Sequence, residues 1–229
     1  MRDGIGLFPG LPEGFAAGFT TRASAPDALS SDEALERLRA ALGASRSIRP
    51  KQVHGREVLE APGTGDAILS GVPGTLVAVA SADCVPIVLL DPVTGWTAAV
   101  HAGWRGTALR IVDAVLDALE ARGVKGADLV AAFGPSISRD RYQVGPEVID
   151  ALRQAYEGVP VPDGAIVASR GDRSLLDVAA FDEALLRFRG VTRLQHAGLC
   201  TASRPDLPSY RRDGKGTGRI LTGVVRLAR

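Results

Sequence analysis

The sequence predicts an α/β fold in which helices cover a mixed β-sheet, as a layered α/β/α sandwich. Helix-like and strand-like segments alternate along the chain, which is typical of α/β proteins. Several strand-like segments also follow one another across short turns, which a purely parallel sheet does not allow. No repeat, low-complexity tract or long linker divides the 229 residues, so we expect one domain over 1–229.

The first part of the chain combines strands with one clear helix. Ser30 and Glu33 form a capping-box pattern that predicts a helix to about Leu42, which Gly43 closes. A turn at 91–95 separates two short apolar runs, which we interpret as adjacent buried strands. The strand candidates of this part are 16–20, 57–60, 66–69, 75–80, 85–90 and 96–100.

The second part of the chain carries the helices with the strongest periodicity. Apolar residues recur at helical spacing from Thr107 to Arg122, and Gly123 follows as a stop signal. Pro146 at a tolerated first-turn position predicts a helix to about Tyr156. A third helix is expected from Asp177 to Arg189, and the strand candidates are 129–133, 191–199 and 220–227.

The composition is that of an ordinary soluble globular protein. Hydrophobic residues make up 45% and charged residues 23%, and the net charge of +1 gives no reason to expect nucleic acid or an anionic membrane as partner. No apolar run matches a signal peptide or a membrane span. Two cysteines do not make a disulfide framework. We expect a cytoplasmic protein, as a monomer or small homo-oligomer.

Three residues with soft or borderline ligand atoms form the leading candidate site. The turn at 91–95 can bring Cys84 and His101 to one edge of a sheet, and His54 lies upstream in K-Q-V-H-G. A thiolate and two imidazoles suit zinc, and three protein ligands with an open fourth position are typical of a catalytic zinc. The sequence therefore offers a zinc site, although the ligand spacing alone is weak evidence.

Other interpretations of these three residues stay open at this stage. Cys84 can be a buried small apolar residue beside ordinary polar histidines, or a nucleophile with a histidine as its base. The same donor set also occurs in blue-copper sites, but their frequent axial methionine has only Met1 as a candidate here. Three histidines are also too few for a multicopper oxidase, so Cu²⁺ fits less well than Zn²⁺.

Candidate anion-binding residues lie in two segments. Trp104 and Arg105 stand between glycines before a predicted helix start, where backbone N–H groups and an arginine favour a phosphate or carboxylate. The segment 209–219 contains four cations, of which Arg211 and Arg212 are candidate contacts for an anionic substrate. A tight turn and a solvated basic loop are the respective alternatives.

Two further polar residues stand beside the candidate ligands. Asp83 is a candidate acid/base, with a structural hydrogen-bonding role as the alternative, and Gln52 is a candidate contact for a polar base or sugar edge. His196 and Cys200 are interpreted as structural.

Five motifs in order resemble those of the YfiH-type laccase-domain family. The resemblance covers nearly the whole chain, and the motifs together are far more specific than any one of them. The motifs are K-Q-V-H-G, S-A-D-C-V-P-I, V-H-A-G-W-R-G-T, G-P-S-I-S followed by Y-Q-V-G-P-E-V, and S-Y-R-R-D-G.

The resemblance implies an α/β/α fold with a mixed sheet and a zinc ion held by His54, Cys84 and His101. It implies phosphorolysis of adenosine, inosine and S-methyl-5'-thioadenosine, together with adenosine deaminase activity. Older family assignments imply a polyphenol oxidase, and a further family role implies removal of wrong amino acids from peptidoglycan precursors. The segment 136–138 departs from the family pattern, because it reads S-I-S where a cysteine is expected.

From the candidate site residues together with the family resemblance, we expect a zinc-dependent purine nucleoside phosphorylase and adenosine deaminase whose substrates are a purine nucleoside and phosphate. The expected catalytic residues are Asp83, Cys84, Arg105 and Arg211. The expected substrate-binding residues are Gln52, Trp104, Arg105, Arg211 and Arg212.

Overall fold

The structure, a computed structural model, describes residues 4–228. Its helices are α1 (Ser31–Ala41), α2 (Trp104–Ala108), α3 (Ile111–Glu120), α4 (Pro146–Ala155), α5 (Val178–Phe188) and α6 (Tyr210–Asp213). The strands of the first half are β1 (Ile5–Leu7), β2 (Phe15–Thr20), β3 (Arg46–Ile48), β4 (Val58–Leu59), β5 (Ala67–Ser70), β6 (Thr75–Ser81), β7 (Val85–Leu90) and β8 (Thr97–Ala102). Those of the second half are β9 (Val130–Phe133), β10 (Gln143–Val144), β11 (Ile166–Ala168), β12 (Ser174–Leu176), β13 (Arg193–His196) and β14 (Ile220–Arg226).

Two mixed sheets form the centre of the fold. The first has the order β1-β2-β14-β6-β3 and the second the order β13-β9-β7-β8-β5-β4. Most neighbouring strands are antiparallel, whereas the pairs β3–β6, β4–β5 and β9–β13 are parallel. A small third sheet has the order β10-β12-β11. The predicted mixed α/β architecture is confirmed, and the sheet layer is double rather than single.

Strand alternation explains how the two sheets stack. In β6, Val77 and Val79 belong to the apolar cluster between the sheets, together with Val88 of β7. The intervening residues Leu76 and Ala78 belong to the cluster that packs beneath α1. Because successive side chains of a strand point to opposite faces, each sheet has one face toward the other sheet and one toward helices. The layers are therefore helix, sheet, sheet and helices.

The outer face of the second sheet carries the larger core. Ile87 and Leu89 of β7 contact a cluster that includes Val115 of α3 and Leu185 of α5. The helix α1 begins as predicted, since Ser30 accepts from the Glu33 N–H and the Glu33 carboxylate accepts from the Ser30 N–H.

The helix predicted from Thr107 to Arg122 is wrong in extent, because the structure has two helices there. Arg110 lies between α2 and α3 with a left-handed φ of 58°. Its guanidinium holds this break by donating to the Ala155 carbonyl at 2.7 Å and to Asp113 at 2.5 Å. The first helix also begins earlier than predicted, at Trp104.

Two predicted strands also change. The strand expected over 191–199 is reduced to β13, because only Arg193–His196 pairs with β9. The strand expected over 96–100 extends to Ala102 and thus includes His101, which pairs opposite Pro86. In the part of the chain that the structure describes, no helix combines the length and apolarity that crossing a membrane requires.

Candidate active site

A cleft of about 760 Å³ lies where the chain passes between the two sheets. Three connecting segments line it: 49–57 between β3 and β4, 82–84 between β6 and β7, and 197–219 between β13 and β14. The end of β8 and the start of α2 complete the wall. The fold therefore gathers residues from distant parts of the sequence at one end of the sheet stack.

The structure brings His54, Cys84 and His101 together in this cleft. Their ligand atoms lie within 4.8 Å of one another, and the Cys84 Sγ is 3.9 Å from Nε2 of His54. His101 is buried, Cys84 is half-buried and His54 is exposed. The cluster is the only group of three or more such ligands found in residues 4–228.

A buried carboxylate, Asp66, fixes the two histidines. One of its oxygens accepts from Nδ1 of His101 at 2.8 Å and from the His54 N–H at 2.9 Å. The other oxygen accepts from the N–H groups of Val53 and Gly55 at 3.1 and 2.7 Å. Because Nδ1 of His101 is engaged in this way, its Nε2 is left as the ligand atom.

The environment favours the ionised form of Cys84. Burial raises the pKa of the thiol, but hydrogen bonds and charge interactions with His101 and His54 outweigh burial and lower the pKa to about 6. Burial also lowers the pKa of His101, while Asp66 and the Cys84 thiolate raise it to about 9. The thiolate is the form of cysteine that binds metals.

The donor set fits a metal ion such as zinc. Ligand atoms around a tetrahedral zinc lie about 3.5 Å apart, given Zn–N and Zn–S bonds of about 2.1 and 2.3 Å. The present separations, all within 4.8 Å, exceed that value by at most about 1.3 Å. Gly103 keeps the space clear, since a Cβ there would lie 2.9 Å from the Cys84 Sγ and 3.2 Å from the His54 ring. A carboxylate behind one histidine is also the usual second layer of a zinc site.

Asp83 lies beside the ligands but is engaged with the protein. Its carboxylate accepts from the Thr201 hydroxyl at 2.5 Å and from the Arg211 N–H at 2.6 Å. Its backbone has a left-handed φ of 96°, and its carbonyl accepts from the Ile137 N–H. These contacts hold the 197–219 segment against the cleft, so the geometry favours the structural alternative for Asp83.

Gln52 and Trp104 both line the cleft. The Gln52 side-chain amide donates to the Ala80 carbonyl at 2.7 Å and accepts from the Ala80 N–H at 2.8 Å. This pairing ties the 49–57 segment to β6 and engages the amide that was expected to contact substrate. Trp104 begins α2 and carries the Arg105 guanidinium 4.5 Å above its ring.

The three candidate arginines differ in what they contact. Arg105 and Arg211 line the cleft, and Arg211 stacks 4.9 Å from the Tyr142 ring while it donates to the Gln143 carbonyl. Arg212 lies outside the cleft lining, and its guanidinium donates to three backbone carbonyls and to Asp213. These contacts favour a structural role for Arg212 over the expected substrate contact.

The sequence did not reveal several residues that line the cleft or support its ligand cluster. Asp66 was taken only as the start of a strand, and its hydrogen bonds depend on tertiary contacts. Tyr142 lies in the Y-Q-V-G-P-E-V motif, which was the available signal for it. Burial raises the pKa of Tyr142 to about 12. The other unpredicted lining residues used below are Ser81, Tyr210, Arg49, Lys51 and Arg219.

Similarity to known proteins defines the class of protein. Residues 17–227 match the family described as multi-copper polyphenol oxidoreductase laccase. The chain therefore belongs to this family, and the resemblance inferred from the motifs is confirmed.

Relatives with assigned names are nucleoside enzymes. A protein from Deinococcus radiodurans named purine nucleoside phosphorylase is 40% identical over 190 residues, which cover 80% of this chain and 72% of that protein. A protein named adenosine deaminase RL5, from an unknown prokaryotic organism, is 36% identical over 166 residues, covering 70% of this chain and 62% of that protein.

The fold also matches a solved structure over its whole length. The crystal structure of YlmD from Geobacillus stearothermophilus superposes with a TM-score of 0.85 at 25% identity, covering 100% of this chain and 98% of that one.

Proposed function

We propose that this chain is a zinc-dependent purine nucleoside phosphorylase that also deaminates adenosine. The observation that carries the proposal is the cluster of His54, Cys84 and His101 inside a cleft lined by cations and aromatic rings. The names of the two relatives support the reaction classes. Adenosine, inosine and S-methyl-5'-thioadenosine are the proposed substrates.

His54, Cys84 and His101 would hold the metal. A zinc ion with an open coordination position acts as a Lewis acid and increases the acidity of water. Asp66 fixes the ring orientation of His101 and the backbone of His54, so the ligand atoms converge before a metal binds. The single cluster of three ligands in residues 4–228 favours this mononuclear site over a multicopper oxidase site.

The proposed phosphate contacts are Arg105 and Arg211. Both line the cleft, and neither forms an ion pair in the structure over residues 4–228. Each guanidinium packs on an aromatic ring, Arg105 on Trp104 and Arg211 on Tyr142. Because these contacts already restrict the two side chains, less conformational freedom is lost when an anion binds. Arginine also suits phosphate because its guanidinium donates two parallel hydrogen bonds.

The two reactions require different nucleophiles. In phosphorolysis a phosphate oxygen forms a bond to C1' of the ribose while the bond from C1' to the purine nitrogen breaks, and the purine leaves with a proton. In deamination water adds to the purine carbon that carries the amino group, and ammonia leaves. The aromatic residues Tyr142, Tyr210 and Trp104 of the lining offer surfaces for the purine. Asp83 would position Arg211 through its backbone rather than transfer a proton.

The decisive experiment measures purine release from inosine and adenosine, with and without phosphate, using protein of known metal content. We expect release that requires phosphate and is lost in Cys84→Ala. Loss of activity in Cys84→Ala, with a thermal midpoint equal to that of metal-free wild type, would separate catalysis from folding. Full activity of Cys84→Ala would refute the metal mechanism.

The same samples distinguish the hydrolase alternative from the family. A peptidoglycan-precursor editing enzyme would release an amino acid such as serine from a UDP-linked muropeptide without any need for phosphate. Amino-acid release in the absence of purine release would replace the proposal with that function.

A further inference from the structure

Ser81, a residue of the cleft lining, carries a buried hydroxyl that no protein group satisfies. It is the last residue of β6, is 2% exposed and belongs to the cleft lining. Its Oγ has no hydrogen-bond partner in the described residues. A buried hydroxyl without a partner costs free energy, so such groups are uncommon unless a ligand or water completes them.

The surroundings explain why the protein leaves this hydroxyl unpaired. The neighbouring Ala80 peptide is already bonded on both sides to the Gln52 amide. On the other side, the β6 backbone pairs with β14, where Ser81 lies opposite Ile220. Because side chains alternate between the two faces of a strand, Ser81 lies on the same face of β6 as Val77 and Val79, which is the face toward the second sheet. Ala80 and Ser81 both belong to the cleft lining, so β6 meets the cleft at this end.

We propose that the Ser81 hydroxyl hydrogen-bonds a polar group of the bound nucleoside and thereby contributes to substrate specificity. The inference rests on the proposed function and adds a contact to it. A serine hydroxyl donates one hydrogen bond and accepts others, and it reorients by rotation about a single side-chain bond. A bound nucleoside would supply the partner that the protein lacks.

The nucleoside is a better partner than the phosphate for two reasons. Ser81 is neutral, and its chain neighbours Ala80 and Ala82 carry no charge, whereas a phosphate favours charged donors. A site with a buried hydroxyl discriminates strongly against a ligand that leaves that hydroxyl unpaired. Ser81 would therefore affect the affinity for the nucleoside and leave the affinity for phosphate unchanged.

The chain provides a matched control in Thr222. Its hydroxyl is also buried and also lacks a partner in the described part of the chain, and it lies on the neighbouring strand β14. Thr222 does not belong to the cleft lining. Thr222→Val thus removes the same kind of group from the same interior without touching the proposed contact.

The experiment compares wild type, Ser81→Ala and Thr222→Val in thermal midpoint, in Kd for inosine without phosphate, and in KM for inosine and phosphate. We expect Ser81→Ala to weaken inosine about tenfold in both Kd and KM, which corresponds to ~1.4 kcal/mol. Its phosphate KM should match wild type, and its thermal midpoint should equal or exceed that of wild type, because an unpaired buried hydroxyl costs folding free energy. Thr222→Val should match wild type in the Kd for inosine and in both KM values.

Each unexpected outcome of these measurements leads to a different conclusion. Unchanged inosine binding in Ser81→Ala, or an increase in phosphate KM alone, would overturn the Ser81 contact while the phosphorylase proposal stands. Equal weakening in Thr222→Val would show a general packing effect and overturn the inference as well. If wild type binds inosine without turnover and Ser81→Ala weakens that binding tenfold, the contact stands and the proposed reaction fails. If wild type neither binds nor cleaves inosine, both proposals fail.

Discussion

Replacement of Asp66 by asparagine should loosen the metal site at both histidines. The four hydrogen bonds that reach Asp66 are divided equally between its two oxygens. An asparagine has one oxygen and one NH₂ group, so two N–H donors must face another donor. If the NH₂ replaces the first oxygen, His101 and the His54 N–H lose their acceptor. If the NH₂ replaces the second oxygen, the N–H groups of Val53 and Gly55 lose their acceptor.

The magnitude follows from the carboxylate's role behind the ligands. Removal of such a partner typically weakens metal affinity 10- to 100-fold, which is ~1.4–2.8 kcal/mol. Two lost hydrogen bonds to a buried charge cost about 3–6 kcal/mol of folding stability at most. Burial alone raises the pKa of Asp66, but hydrogen bonds from His101 and the peptides lower it below its usual value, so the carboxylate is ionised at neutral pH.

The assay is a competition titration of zinc against a chelator of known affinity, combined with thermal unfolding. Asp91→Asn is the matched control, because Asp91 is equally buried and accepts from the N–H groups of Val93 and Thr94 and from the Thr94 hydroxyl. It lies in the turn at the other end of β7 and β8. We expect both variants to lose stability and only Asp66→Asn to lose zinc affinity. Equal zinc affinity in Asp66→Asn and wild type would refute the reasoning.

Four further variants provide separate tests. Arg105→Gln should raise the KM for phosphate about tenfold and leave the KM for inosine within a factor of two, because only the anion loses a charge-assisted hydrogen bond. Equal changes in the two KM values would argue against a phosphate contact. Arg212→Gln should lower the thermal midpoint and leave the phosphate KM unchanged, since its guanidinium contacts only protein acceptors; a raised phosphate KM would return it to the site. Gly103→Ala should lower the zinc content per chain measured by elemental analysis, because the added Cβ would lie 2.9 Å from the Cys84 Sγ and crowd the ligand cluster. Full zinc occupancy in Gly103→Ala would contradict this role for Gly103. Burial raises the pKa of Asp182 to about 8. Between about pH 4 and pH 8 the folded state therefore binds a proton that the unfolded state has lost, and the contribution of Asp182 to stability falls by up to ~1.4 kcal/mol per pH unit. Asp182→Asn should remove this part of the pH dependence of the unfolding free energy measured by denaturant titration, and an unchanged pH dependence would refute the raised pKa.

The sequence predicted most of the architecture, and it predicted that the candidate ligands Cys84 and His101 lie together, because both depend on local patterns. Short apolar runs predicted the buried strands, the capping box predicted α1, and the turn at 91–95 correctly placed Cys84 and His101 at one sheet edge. Local patterns did not reveal the second sheet, because each strand has the same alternation whether it faces a helix or another sheet. The break at Arg110 was missed for a related reason: it depends on the carbonyl of Ala155, 45 residues away.

The supporting residues of the site were harder to predict than its ligands. Cys84 and the histidines stand out by residue type, whereas Asp66 resembles any aspartate at the start of a strand. Asp83, Gln52 and Arg212 were noticed for their chemistry, but their hydrogen bonds to backbone groups appear only in the folded chain. Sequence identifies groups able to react, and tertiary contacts decide which of them remain available.

The position of the ligands on the connections between the two sheets has a consequence for unfolding. His54 and Cys84 each lie where the chain leaves the first sheet for the second, and His101 lies on the second sheet itself. An ion held by all three would cross-link both layers, and its binding free energy would add to the work of separating them. Amide hydrogens in β6 and β7, including those far from the cleft, would then exchange more slowly as the free metal concentration rises. The supply of metal would in this way set how long the sheet stack stays closed.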